Sequence, residues 1–252
     1  MTDGNNRTTR TFRYKVRAHE ADSTGAARPD VLCDYLQDAA ANHADHLELG
    51  ATQLVGEGLA WVLARLVLEV QEMPRWQDEV AVTTWPSGRQ GIFATRDFEV
   101  SVNDRITARA TTAWFLIDIS RRRPARLPEV VTSLPLPERP RSLVDDFGRI
   151  PRIGNATETA GTRRAAYTDI DMNRHVNHVR YLAWAMDAME SDWLAQHQVR
   201  RLEMQFKNEA VMGQHLRTMR APLPDSESTW IYEVQGEDGG LVSQTRIDWR
   251  PR

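Results

Sequence analysis

One order of elements is written twice along this 252-residue chain, and few folds satisfy such a repeat. In the first half, PDVLCDYLQDAAANHADHLEL places Val31, Leu32, Tyr35, Leu36, Ala39 and Leu47 at helical spacing. Pro29 suits the first turn of that helix, where a missing N–H is no loss. Strand-like stretches follow at 61–69, 79–84, 94–102 and 107–118. In ARLVLEVQE the residues Leu66, Leu68 and Val70 alternate as on a half-buried strand. The second half repeats the order. Val179, Leu182, Ala183, Met186, Met189 and Trp193 outline another amphipathic helix, and strand patterns follow at 200–208, 215–221, 229–236 and 241–249.

The repeat holds residue by residue. RLVLEVQEM (65–73) laid over RLEMQFKNE (201–209) matches Arg with Arg and Leu with Leu, and sets Val70 on Phe206. DYLQDA (34–39) similarly overlays RYLAWA (180–185). Two matches in the same order indicate an internal duplication. Between the halves, RRRPARLPEVV, PLPERPRS and GNATETAGT are rich in proline, arginine and small polar residues, the composition of a surface connector. The expected organisation is a disordered 1–10, a first domain over 11–120, a connector over 121–162 and a second domain over 163–252. The expected class is α+β, one long helix against an antiparallel sheet, twice.

Composition narrows the function. A formal charge of −3 argues against a general nucleic-acid binder, and no apolar run reaches the roughly 18 residues of a membrane span. The start MTDGNNRTTR lacks a signal-peptide core, so a cytoplasmic location is expected. A single cysteine, Cys33, rules out an intramolecular disulfide and any multi-thiolate metal site.

The chemistry concentrates in DIDMNRHVNHVRYLAW (169–184), where two aspartates, two asparagines and two histidines precede an apolar helix. A helix start needs one capping side chain, not six polar residues. Asp171, Asn173 and His175 alternate, so an extended approach would point all three one way. The helix is expected to begin near His175 to Asn177 with Asn173 as its cap, and its free N–H groups suit a developing oxyanion. Glu209 ends the strand-like LEMQFKNE. By alternation alone it reads as an exposed strand-end glutamate. Its counterpart in the first half is Met73, and ADSTGAARPDV before the first helix has no Asn-x-His-Val-Asn. One half carries the polar set and the other does not.

The pattern DxDxNxHVNxxxYxxW, followed by a strand ending Phe-Lys-Asn-Glu, resembles the acyl-acyl carrier protein (acyl-ACP) thioesterases of plants and bacteria. YLQDAAANHA, GLAWVLARL, VTTWPSGRQGIFATRDFEV and AWFLIDISRRRPARLP agree in order, so the resemblance covers about 11–250. It implies a tandem hotdog fold, two antiparallel sheets each wrapped around a long helix, and hydrolysis of fatty acyl thioesters without metal or cofactor. It also implies a catalytic set of Asp171, Asn173, His175 and Glu209. Asp171 or Glu209 would activate water as general base, Asn173 and helix N–H groups would hold the carbonyl oxygen, and His175 would orient a partner or exchange a proton. Where plant members have cysteine after the glutamate this chain has Ala210, so a thiol nucleophile cannot act there, and hydrolysis would use water or a carboxylate attacking directly. Position 178 is histidine where plant members usually have asparagine. The resemblance places the acyl slot mainly in the first half, between Val31–Ala40 and the strand Trp61–Val70, and implies Leu36, Leu66 and Trp61 as substrate-binding residues.

The implied partner is an acidic acyl carrier protein bearing a phosphopantetheine-linked acyl chain, and a homodimer is also expected. Carrier attraction would come from Arg121, Arg122, Arg123 and Arg126, or from Arg163, Arg164 and Arg174. Four rivals remain. A metal hydrolase would draw on Asp169, Asp171, His175 and His178 but has no HExxH. A serine hydrolase would need a GxSxG that is absent. An acyl-CoA thioesterase or a non-catalytic acyl-thioester sensor would share the pocket, but a sensor would not need the carboxylates.

Overall fold

The computed structural model describes residues 7–154, 158–224, 226 and 228–252, with the backbone alone at 158. Two compact units divide between Phe147 and Gly148, inside the stretch read as the connector. Of the ten residues expected to be disordered, 1–6 lie outside the described residues; Thr8 is buried and a strand begins at Arg10. No helix among the described residues is long and apolar enough to cross a membrane.

In the first unit the order is β1 (Arg10–Lys15), α1 (Pro29–His46), α2 (Ala51–Gly56), β2 (Leu59–Val70), β3 (Glu79–Gln90), β4 (Phe93–Val102), β5 (Arg105–Asp118), β6 (Arg123–Ala125) and α3 (Glu129–Thr132). The antiparallel sheet runs β1-β3-β4-β5-β2, with β6 on β5. The helix α1 buries Val31, Leu32, Tyr35, Leu36, Ala39 and Ala40, a stripe wide enough to face a curved sheet. Opposite, the register Leu68–Ala110–Phe98–Thr84 runs across four strands, with alanine beside phenylalanine. Leu66, Leu68 and Val70 are all buried, as their alternation requires. Burying each such side chain stabilises the unit by about 1.5–3 kcal/mol.

The second unit contains β7 (Glu158–Arg164), α4 (His178–Asp187), α5 (Ser191–Gln196), β8 (His197–Phe206), β9 (His215–Pro222), β10 (Thr229–Gly236) and β11 (Leu241–Pro251). Its sheet runs β7-β9-β10-β11-β8, the same topology again. The tandem hotdog expectation holds: each sheet carries a central helix. The single helix expected here is broken in two. From β9, the buried Arg220 donates to the Ala188 carbonyl and, at 2.6 Å, to the Glu190 carboxylate, which ends α4.

Backbone hydrogen bonds prove the duplication. In the first unit Asp22 N donates to Ala26 O (2.7 Å), Gly25 N to Asp22 O (3.0 Å) and Ala27 N to Pro74 O (2.7 Å). In the second, Asp171 N donates to His175 O (2.9 Å), Arg174 N to Asp171 O (3.0 Å) and Val176 N to Ala210 O (2.8 Å). The loops after β2 and β8 therefore superpose in the register that set Glu209 on Met73. The turns and helix starts superpose with Pro29 on His178, three residues away from the overlay of DYLQDA on RYLAWA. Three residues rotate a helix by about 300°, close enough to a full turn that the same apolar stripe matches in either register.

The connector is fastened, not loose. Asp97 on β4 is fully buried and accepts from Ser87 (2.7 Å), Thr111 (2.7 Å), Arg141 Nε (2.8 Å) and Ser142 N (2.8 Å). Arg139 lies 3.9 Å over the Trp85 ring. On β10 Glu233, two residues along the strand from the position that matches Asp97, is also fully buried and accepts from Arg152 Nε (2.7 Å), Gln244 (2.9 Å) and Ile153 N (3.2 Å). Among the described residues each sheet thus has one fully buried acid, and each of these two acids holds one arginine of the connector.

Two predictions follow from these interiors. Asp97→Ala strands the Arg141 guanidinium and two hydroxyls, and should lower the unfolding free energy by about 3–5 kcal/mol in urea titration. Burial, reinforced for His43 by Arg96, lowers the pKa of both His43 and His178 to about 4. The unfolded chain, with histidine near 6.5, binds the extra protons between those values. Stability is therefore full above pH 6.5 and falls as pH drops toward 4, by about 3 kcal/mol for His43. Urea titrations at pH 7, 5.5 and 4.5 should show this slope, and His43→Gln, which cannot charge, should flatten it.

Candidate active site

The stretch 170–176 is a tight hairpin, not the extended approach expected from its alternation. Ile170 bridges Val176, and the Asp171 side chain accepts from Asn173 N at 2.8 Å, closing an Asx turn. Arg174 sits at its tip with φ 66°. An L-residue there costs about 1–2 kcal/mol. The first unit turns at the same place through Gly25, φ 80°, which carries no such cost.

Helix α4 begins at His178 and is capped by Asn177, whose side chain accepts from Val179 N at 3.0 Å. Asn173 is therefore not the cap. Its exposed side-chain amide makes no hydrogen bond within the described residues, and so can donate outward. The helix N–H groups expected to face the substrate are partly spent: Val179 N on the cap, Arg180 N on the Asn177 carbonyl.

Glu209 follows the end of β8, and the loop behind it reaches the hairpin through a His175–Val211 bridge. This brings His175 Nε2 to 3.3 Å from Glu209 Oε2, with both side chains about one-third exposed. Asp171 and Glu209 also lie close enough to Tyr181 to act on its hydroxyl. Burial chiefly pushes that phenol up, a hydrogen bond from the Ala210 backbone opposes this, and the two carboxylates push it further. Sequence reasoning passed over Tyr181, which the motif contains but which reads as helical core. A carboxylate, an imidazole, a second carboxylate and a free amide thus share one partly exposed surface. Such a set can move a proton and hydrogen-bond an oxyanion.

Other candidate residues serve elsewhere. Asp169 accepts from Ala166 N at 2.8 Å, and the His178 ring packs edge-on against Phe206 at 5.5 Å. Among the described residues no group of three or more His, Cys, Asp or Glu side chains is arranged to hold a metal ion. Arg163 covers Trp184 at 4.8 Å and approaches Asp187 at 3.4 Å. Arg164 Nε donates to Gly213 O at 3.2 Å. In the first unit Leu36 and Leu66 are buried, and Trp61 donates to Leu49 O at 2.9 Å. Cys33 is fully buried on α1, and burial pushes its thiol pKa up.

The same hairpin in the first unit shows what the fold alone requires. Asp22 repeats the Asx turn, accepting from Thr24 N at 2.8 Å. The turn is shared; the chemistry is not. Asn173, His175 and Glu209 face Thr24, Ala26 and Met73 in the other unit.

Comparisons with known proteins give the family. Residues 7–134 match the acyl-ACP thioesterase N-terminal domain, and residues 155–251 match its C-terminal domain. A palmitoyl-acyl carrier protein thioesterase of Cuphea hookeriana is 27% identical over 259 residues, covering 95% of this chain and 61% of the relative. An oleoyl-acyl carrier protein thioesterase of Arabidopsis thaliana is 26% identical, covering 93% and 67%. The chain thus spans about three fifths of the length of the first of these relatives. The crystal structure of an acyl-ACP thioesterase from Bacteroides thetaiotaomicron superposes with a TM-score of 0.88 at 26% identity, over 96% of this chain and 98% of that one. With both domains matched in order and the fold repeated in a solved relative, the chain belongs to the acyl-ACP thioesterase family.

Proposed function

We propose that this protein hydrolyses fatty acyl thioesters carried on acyl carrier protein, releasing free fatty acid and carrier in fatty acid biosynthesis. One observation carries the reading beyond family membership. Two units share one backbone, and only the second places Asn173, His175 and Glu209 around the common Asx turn. A fold that needed those side chains would have them twice.

In this reading water adds to the thioester carbonyl while a carboxylate, Asp171 or Glu209, takes its proton. The Asn173 amide donates to the oxyanion. The C–S bond then breaks, and the leaving thiolate takes a proton relayed by His175, which lies 3.3 Å from Glu209. Ala210 leaves no thiol beside Glu209, and Cys33 sits fully buried on α1 of the other unit. The acyl chain belongs to the interior of the first unit beside Leu36 and Leu66, with Trp61 near its margin. Action in the cytoplasm is part of the same proposal.

Thiol release from acyl carrier, acyl-CoA and a small acyl thioester tests it. Release from none would make the protein a sensor, and preference for CoA would change the carrier. Asp171→Asn keeps a side-chain oxygen to accept from Asn173 N, so the turn should survive. Turnover should nonetheless fall by roughly 10²-fold or more, and likewise for Glu209→Gln, as for lost acid–base help. Cys33→Ala should change turnover little. Leu66→Phe should move the preferred acyl length downward in a chain-length panel, since one methylene is worth about 1–3 kcal/mol in an apolar slot. Equal loss at every length would remove Leu66 from the slot.

A further inference from the structure

The hairpin 170–176 and the loop 211–214 carry a second asymmetry that hydrolysis does not require. Tyr167, Met172, Val211 and Met212 are 84%, 87%, 50% and 61% exposed. These are four of the eleven large apolar side chains that stand exposed among the described residues, three of them on these two turns and Tyr167 on the short helical turn 167–169 that leads into the hairpin. The turns are one surface: His175 bridges Val211, Gly213 N donates to Ala165 O at 2.8 Å, and Arg164 donates to Gly213 O. The equivalent positions in the first unit are Ala18, Ser23, Arg75 and Trp76. The fold therefore accepts polar or small residues at three of the four, and apolar exposure here is not demanded by the architecture.

The charges at this surface point to the partner. Arg174 is exposed, has no acidic partner among the described residues, and is held at φ 66° where the duplicate uses glycine. A strained, unpaired arginine beside exposed methionines is ill suited to folding and well suited to meeting an anionic protein. Arg164 adds a second cation without an acid among the described residues. By contrast, Arg121 of the other cluster already approaches Asp118 at 3.9 Å.

We propose that these two turns are the docking surface for the acyl carrier protein. Met172 and Met212 receive apolar side chains of the carrier, and Arg174, supported by Arg164, receives its acidic groups. This rests on the hydrolytic reading for the carrier's identity but is independent of which carboxylate is the base. Methionine adapts its shape to a partner at little cost, which suits an encounter repeated with many acyl chains.

The duplicate supplies the test. Met172→Ser with Arg174→Gly installs the first unit's own turn residues, so the hairpin should fold as it does there. With acyl carrier as substrate, KM should rise about tenfold or more, while kcat/KM for an acyl N-acetylcysteamine thioester stays within about twofold. Moderate salt should narrow the difference between wild type and variant on the carrier substrate. An unchanged KM, an equal loss on both substrates, or a larger effect from Arg123→Glu with Arg126→Glu would overturn the assignment. If the wild type hydrolyses neither substrate, the functional reading fails on its own. Fluorescence anisotropy of labelled holo-carrier then decides docking alone: binding about tenfold weaker in the double variant supports it, and equal binding overturns it.

Discussion

The central helix of each unit is entered through a hairpin stitched to the loop that leaves the first long strand, and that stitching fixes everything near it. Ala27 N on Pro74 O and Val176 N on Ala210 O set the distance between helix start and strand end. Residues that are 34 apart in the sequence, His175 and Glu209, come within 3.3 Å because the backbone leaves them little choice. The energy involved is a handful of backbone hydrogen bonds, each worth only about 1 kcal/mol net. They hold because the hydrophobic faces of helix and sheet already commit the flanking segments.

Because the arrangement occurs twice, one half is a reference for the other. Asp171 cannot be assigned to chemistry from its position alone, since Asp22 makes the same Asx turn in the unit that has Thr24, Ala26 and Met73 instead of the asparagine, histidine and glutamate. Asn173, His175 and Glu209 carry the difference, together with the glycine-to-arginine exchange at the hairpin tip. Architecture and chemistry therefore separate without any variant being made.

Much of this was legible in the chain. Alternation in ARLVLEVQE and its match to RLEMQFKNE gave the strand register, because a strand's period of two permits no silent slip. The helices were less well specified: a three-residue shift preserves the apolar stripe, and DYLQDA aligned with RYLAWA as readily as in the true register. The edge strands β1 and β7 escaped notice because exposed strands alternate weakly. The break between α4 and α5 is dictated by Arg220, distant in sequence, and no local pattern announces it. At the site, the residue types were readable but the hairpin was not: alternation predicts direction only for extended chain, and an aspartate that bonds its own backbone abolishes it. The arginine- and proline-rich connector misled for a related reason, since its charges answer buried acids that look, in sequence, like ordinary strand residues.

Those acids decide where the polypeptide can be divided. Composition would place the seams near 120 and 163, where the prolines and arginines begin and end. A fragment cut there would leave Asp97 or Glu233 sealed beneath its sheet without the guanidinium that neutralises it. The seam that leaves each buried charge with its counter-ion lies instead between Arg141 and Arg152, in unremarkable chain around Phe147 and Gly148. Modularity in this protein is thus set by electroneutrality of the interior: a module ends where its last buried charge is matched.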